Sequence, residues 1–316
     1  MSKMRVLIVV VLLAICLMAG QGTALAQYAN NEQETTFVAE VPLFNCDGTP
    51  CIEARIGEGK AVRLAIDTGD VDSVLDTKSA EAAGIRPAGP VAKGMPAGSY
   101  PARIAALQIG ELTLNDVDVT AMDFTDWIAK NQMPRVAGTL AYTAFKDRIL
   151  QLDFAAHQLR ISDHLTGPVD CGKICAKYSL ITFGKQGPPI VVAEGFEING
   201  KSVTAQIDTM YTGSLLVYNA SIDKLGLREV AKTTETRHFA YTDGGVTMKA
   251  AAAERESFRG VPLGDGKPKV YFPTPGVHEP GGMFDATVGL ELFVDAIVTL
   301  DLHNGNVFLQ KEKRVR

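Results

Sequence analysis

The segment Leu64-Ala65-Ile66-Asp67-Thr68-Gly69 has a counterpart 141 positions later, Ala205-Gln206-Ile207-Asp208-Thr209-Met210. Each copy sets an acid and a hydroxyl residue directly behind a short apolar run. A second apolar run follows, Val74-Leu75 in one copy and Leu215-Leu216-Val217 in the other. One such string is a strand running into a turn, with the acid as turn residue or helix cap. Two of them, in halves that also match elsewhere, point to a duplicated fold that sets two aspartates face to face. Paired carboxylates are a means of activating water.

The remaining signals repeat in the same order. In the first half Ile52–Ile56 and Ala61–Ile66 flank Gly57-Glu58-Gly59-Lys60, a hairpin pattern. In the second, Ile190–Ile198 and Ser202–Ile207 flank Asn199-Gly200, the strongest short hairpin signal. Short helix signals follow, Thr77–Ala83 before Gly84 and Asn219–Leu225 before Gly226. Strand-like runs come next (Ile104–Met122; Val246–Ala253 and Lys269–Phe272). Thr139–Phe145 then lines up with Thr287–Phe293. Ile149–Phe154 and Leu159–Ile161 line up with Val298–Leu302 and Val307–Leu309, at an offset of 148. A period this long is no solenoid repeat. It predicts two similar β-rich lobes, residues 37–162 and 179–316, joined by a linker over 163–178, in a mainly β chain with short helices.

At the N-terminus, Lys3 and Arg5 precede the uncharged apolar stretch Val6–Ala19, and Ala24-Leu25-Ala26 supplies a small-x-small site. Residues 1–26 therefore read as a cleavable secretory signal, too short for a membrane span, with a flexible polar segment over 27–36. The expectation is an exported protein, periplasmic or secreted, with no stable membrane span once processed. The net charge is -5; loss of Lys3 and Arg5 takes it to -7 (-5 minus 2). An acidic chain without a Lys/Arg cluster is not expected to bind nucleic acid.

Beyond the signal, four cysteines remain: Cys46, Cys51, Cys171 and Cys175. In an exported chain an even count suggests disulfides, with connectivity open. Cys46 and Cys51 enclose a turn signal, and Cys171 and Cys175 form a second close pair. Their spacings are not those of common zinc sites, and no metal or other cofactor is expected. Ser221-Ile222-Asp223-Lys224 matches a Ser-x-x-Lys pattern but lacks its companion motifs. No Gly-x-Ser-x-Gly elbow or His-Glu-x-x-His spacing occurs.

Asp67-Thr68-Gly69-Asp70-Val71-Asp72-Ser73-Val74-Leu75 resembles the catalytic turn of retroviral aspartic proteases. Asp208-Thr209-Met210-Tyr211-Thr212-Gly213-Ser214-Leu215-Leu216 resembles a divergent second copy. Thr139-Leu140-Ala141 and Thr287-Val288-Gly289 are similar to the apolar-apolar-Gly element that packs beside each turn. The chain thus resembles the aspartic protease superfamily, retroviral-type and pepsin-like, over roughly residues 50–162 and 190–310, in the form with two tandem lobes in one exported bacterial-type chain.

The resemblance implies a two-lobed acid-protease barrel pair and an aspartic endopeptidase acting on extended peptides through a water between Asp67 and Asp208. Thr68, Gly69, Thr209 and Met210 would support the pair, the threonines by cross-linking the turns. Asp70, Tyr211, Tyr100 and Tyr241 are candidates for the cleft. Gly94–Tyr100 or Ala240–Gly245 would supply a covering hairpin. A peptide or protein is the expected partner, and a monomer suffices because both aspartates share one chain. The chain departs from the family at three positions. Met210 replaces a glycine, where a side chain would crowd the pair or need a backbone angle that only glycine adopts readily. Asp70 adds a third acid, and Ala141 replaces a packing glycine. The competing expectation is a peptide-binding pseudoprotease disabled by Met210.

Overall fold

The computed structural model describes residues 37–90, 97–125, 136–145, 148–163, 175–182, 189–239, 245–264, 269–274, 279–280 and 282–311. The first half runs β1 (Ala39–Pro42), β2 (Phe44–Cys46), β3 (Thr49–Ile56), β4 (Ala61–Asp67), β5 (Ser73–Asp76), α1 (Thr77–Ala82), β6 (Tyr100–Ile109), β7 (Leu112–Met122), β8 (Gly138–Ala141), a 3-10 turn (Tyr142–Phe145), β9 (Ile149–Asp153) and β10 (Gln158–Ser162). In the second half come β11 (Cys175–Thr182), β12 (Pro189–Ile198), β13 (Lys201–Ile207), β14 (Leu215–Val217), β15 (Thr236–Phe239), β16 (Val246–Ala252), β17 (Glu256–Phe258), β18 (Val261–Pro262), β19 (Lys269–Phe272), β20 (Ala286–Val288), β21 (Ala296–Asp301) and β22 (Asn306–Lys311).

Alternation along the strands builds the first core. In β3, Ile52, Ala54 and Ile56 are buried while Glu53 and Arg55 face solvent, the period-2 pattern of a half-buried strand. Strands β3-β4-β8-β5-β7-β6 follow one another edge to edge, and β6 returns to β3 through Arg55↔Gln108 and Ile56↔Leu107. The result is a closed six-stranded barrel, which leaves no free edge among its members. In it, β8 lies between the two strands that flank the Asp67 turn, parallel to β4 and antiparallel to β5. The second half repeats this: β20 runs parallel to β13 and antiparallel to β14, between the strands flanking the Asp208 turn.

The halves meet in a six-stranded stretch ordered β1-β10-β9-β21-β22-β11. At its centre Gln151 pairs with Thr299, its own equivalent at the 148-residue offset (299 minus 151). The ends of this ladder close reciprocally: Phe154 N–H donates to Ala296 O (3.1 Å) and Leu302 N–H to Arg148 O (3.0 Å). Self-pairing of equivalent residues is the signature of a pseudo-twofold axis through the sheet.

Local chemistry explains several details. The β12–β13 hairpin turns on Asn199 and Gly200, both at positive φ (50° and 77°), as a two-residue primed turn demands. The run Ile104–Met122 is a hairpin broken at Gly110 (φ 57°). The helix expected over Asn219–Leu225 is a single 3-10 turn, Asn219–Ser221, with no side-chain cap; Ser221 and Lys224 are instead held by Asp285. A strand begins at Cys175, inside the stretch read as a linker. Cys46 and Cys51 are joined by a disulfide across the β2–β3 turn. Cys171, the Cys175 side chain and the leader over 1–26 lie outside what is described. Among the described residues no helix is long and apolar enough to cross a membrane.

Candidate active site

Asp67 ends β4 and Asp208 directly follows β13. Each carboxylate folds back over its own turn, where a short acidic side chain reaches the next backbone amides. Asp67 Oδ1 accepts from the N–H groups of Gly69 (2.9 Å) and Asp70 (3.1 Å). Asp208 Oδ1 accepts from Met210 (2.8 Å) and Tyr211 (3.0 Å). Both carboxyls are therefore aimed by backbone.

The threonines tie the two turns to each other. Thr68 N–H donates to Thr209 Oγ1 and Thr209 N–H to Thr68 Oγ1, each at 3.1 Å. Each hydroxyl then donates into the opposite half, Thr68 to Ile207 O (3.0 Å) and Thr209 to Ile66 O (2.5 Å). Both residues are fully buried, so water does not compete for these four bonds. A further link crosses the halves where Gln206 Nε2 donates to Gly69 O (2.8 Å). Thr287 hydroxyl donates to Gln206 Oε1 (3.2 Å) and meets Tyr218 OH at 2.9 Å.

Gly69 spans the pair. Its N–H holds Asp67, and a Cβ on it would fall 2.7 Å from Oδ1 and 2.8 Å from Oδ2 of Asp208. The position needs glycine for space, since its φ is not left-handed. Met210, its equivalent, does not adopt a left-handed φ either, so the backbone strain expected there is absent. Its side chain packs against the first-half cluster of Cys46, Cys51, Ala65, Phe124 and Val136. Ala141 is fully buried opposite Asp67 in the β4–β8 ladder, and its N–H donates to Ser73 Oγ (3.0 Å). At the equivalent Gly289 a Cβ would meet Gly213 O at 2.7 Å, so glycine is required in the second half only.

The electrostatics follow from this packing. Burial above all, then the charge of Asp208 and that of Asp70, hold the Asp67 carboxyl well above the usual range against the pull of its two N–H donors. Burial pushes Asp208 up to about 6; the Met210 and Tyr211 amides oppose this and Asp70 adds to it. Each effect has its expected sign: desolvation and like charge favour the neutral acid, hydrogen bonds to the carboxylate favour the anion. Burial, with Asp208 nearby, raises the Tyr218 phenol to about 12, so it stays protonated.

The other sequence candidates are placed differently. Asp70 is exposed beside the pair and its carboxylate accepts from Val71 N–H (2.6 Å) and Asp72 N–H (3.2 Å). Tyr211 is not a cleft wall: it is 4% exposed and packs against Phe239 and Tyr271, ring centroids 5.3 and 6.4 Å away. Tyr100 opens β6, half-buried against the first-half core. Tyr241 and the hairpin tips 94–96 and 240–244 lie outside the described residues. Gln206, Thr287 and Tyr218 were not singled out from the sequence. Gln206 carried a usable signal, since it stands two residues before Asp208 and so shares its face of the strand. Among the described residues no group of three or more His, Cys, Asp or Glu is arranged to hold a metal ion.

A closed six-stranded barrel whose Asp-Thr-Gly turn is clamped to a matching turn fits a retropepsin-like aspartic protease. Residues 52–143, a span that holds β3 to β8 and Asp67, match the aspartyl protease family. Asp208 lies beyond the matched span. No curated protein matches the chain.

Proposed function

We propose that this protein is an aspartic endopeptidase that hydrolyses extended peptides with a water activated between Asp67 and Asp208. The observation that carries the reading is the closeness of Gly69 to both carboxyls: its amide binds Asp67 while its backbone lies against Asp208. Two acids so close do not ionise together cheaply, and one proton is retained between them. The Oδ1 atoms are engaged by the turns, which leaves the Oδ2 atoms for water. The ionised carboxyl removes a proton from that water as it attacks the peptide carbonyl, and the protonated carboxyl polarises the carbonyl oxygen. The proton gained by the base then passes to the departing amine. Proton transfers of this kind contribute about 10²–10⁴-fold. The threonine clamp supports the reading because it fixes the carboxyl geometry that such transfers require.

Both acids are raised, so the proton is shared by the pair, and whichever carboxyl is ionised acts as base. The apolar stretch Val6–Ala19 with its small-x-small site supports an exported location. The test is cleavage of a peptide library by the purified protein. Asp67→Asn and Asp208→Asn are each expected to abolish cleavage while the fold persists. Cleavage that survives both substitutions contradicts the assignment, and peptide binding without turnover in the wild type favours the pseudoprotease.

A further inference from the structure

Among the described residues, the methionine at position 210 is the one second-half side chain in an otherwise first-half apolar cluster. That cluster comprises Cys46, Cys51, Ala65, Phe124 and Val136, flanked by Phe44, Val74 and Met122. Its position relative to the acids follows from the strands. Ala65 stands two residues before Asp67 on β4, on the same face, and Val74 lies in β5 just after the Asp67 turn. The cluster is therefore the apolar surface beside Asp67. Met210 is anchored at the pair by its own N–H to Asp208, and it stays partly exposed. The two sides of the pair differ. Beside Asp208 the equivalent of Ala65 is Gln206, in a polar chain with Thr287 and Tyr218, and Gly69 projects no side chain onto it.

A peptide lying across the pair places one side chain on each flank of the reacting bond. On the Asp67 flank the apolar surface that would receive it is already covered. We propose that Met210 fills the side-chain pocket beside Asp67 and restricts the peptide residue seated there to a small one, glycine, alanine or serine. The inference rests on the cleft reading above, in that a peptide must cross the pair. It adds what the substrate must look like. A bulky residue has to displace a half-buried thioether from its contacts. Methionine is flexible enough to yield, so the consequence is a preference and not a block. A single methylene of mismatch in an apolar pocket discriminates by about 10- to 200-fold.

The test uses reduced-bond peptides, in which –CH₂–NH– replaces the reacting amide, with alanine or leucine at each flank in turn. Affinities are measured by calorimetry on the intact protein, beside hydrolysis of the parent peptides. Wild type is expected to bind the alanine form at least about tenfold tighter at one flank only. Met210→Gly and Met210→Ala should remove or invert that ratio, and Met210→Leu should keep it. Equal affinity for alanine and leucine at both flanks, a ratio untouched in folded Met210→Ala, or no binding of any of these peptides overturns the inference. If the ratio behaves as expected while wild type hydrolyses nothing, the catalytic reading fails and the pocket assignment stands.

Discussion

At the residue scale the paired turns depend on a few side chains that are hard to replace. The hydroxyls of Thr68 and Thr209 each give one hydrogen bond and accept one across the halves. Thr68→Val leaves the Thr209 amide and the Ile207 carbonyl buried without partners, at about 1–3 kcal/mol for each such group. Thr68→Ser, which keeps the hydroxyl, should lose far less in chemical denaturation; equal losses for valine and serine would refute the clamp. Gly69→Ala should destroy activity, because its Cβ has no room beside Asp208. The pH profile tests the charges. The pair holds one proton only above the lower of its two titration steps, so activity should rise through the lower step and fall through the higher, both displaced above the ordinary carboxylate range by burial. The steps belong to the pair. Asp70 raises both acids, so Asp70→Asn should move both limbs of the profile to lower pH. An unmoved profile would remove Asp70 from the account. The aspartates and threonines were legible because they recur as a matched string. The hydrogen bonds linking Gln206, Thr287 and Tyr218 were not, because these partners are set only by tertiary packing.

At the element scale, Asp285 ties β13 to the segment after β14. Asp285 takes Ser221 Oγ (2.7 Å), Lys224 Nζ (2.8 Å) and Thr204 N–H (3.0 Å). Burial acts to raise its pKa, but these donors outweigh it and the net shift is downward. A depressed carboxyl stabilises the fold above its unfolded pKa and loses that contribution as pH falls through the folded value. Asp285→Ala should therefore cost on the order of 2 kcal/mol at neutral pH, with the deficit shrinking in strong acid. Glu256, buried in β17, has the opposite sign. Burial first, then the nearby Glu291, raise it well above its ordinary 4.5 although the Ser214 hydroxyl opposes them. A raised acid lets stability decline as pH climbs past 4.5. Glu256→Gln should accordingly raise the melting temperature at neutral pH and leave it unchanged in acid; a lower melting temperature at both would contradict this. Most strands were readable from their apolar alternation and turn residues. The second helix was misjudged for a physical reason: Asp285, 64 residues after Ser221, claims the side chains that the local sequence offers to a helix, and only the folded sheet brings it there.

At the scale of the whole molecule, the halves share a continuous sheet through β9 and β21, reinforced by the Phe154–Phe293 stack (6.0 Å). Unfolding should therefore be a single transition reported identically by near- and far-ultraviolet circular dichroism; two separated transitions would show that the halves stand independently. The repeat of offsets in the sequence made the duplication visible, whereas the pairing of Gln151 with Thr299 was hidden, since register across a pseudo-twofold axis is set by three-dimensional closure. Everything functional rests on two carboxyls titrating as one unit. Carbon-13 NMR of protein labelled at the aspartate carboxyls, followed through a pH titration, reads this without any substrate. The expected result is two carboxyls shifted upward together, with the partner's shift reduced when either Asp67 or Asp208 is replaced by asparagine. Independent titration of both near the ordinary aspartate value, unchanged by either substitution, would contradict the shared proton and the function built on it.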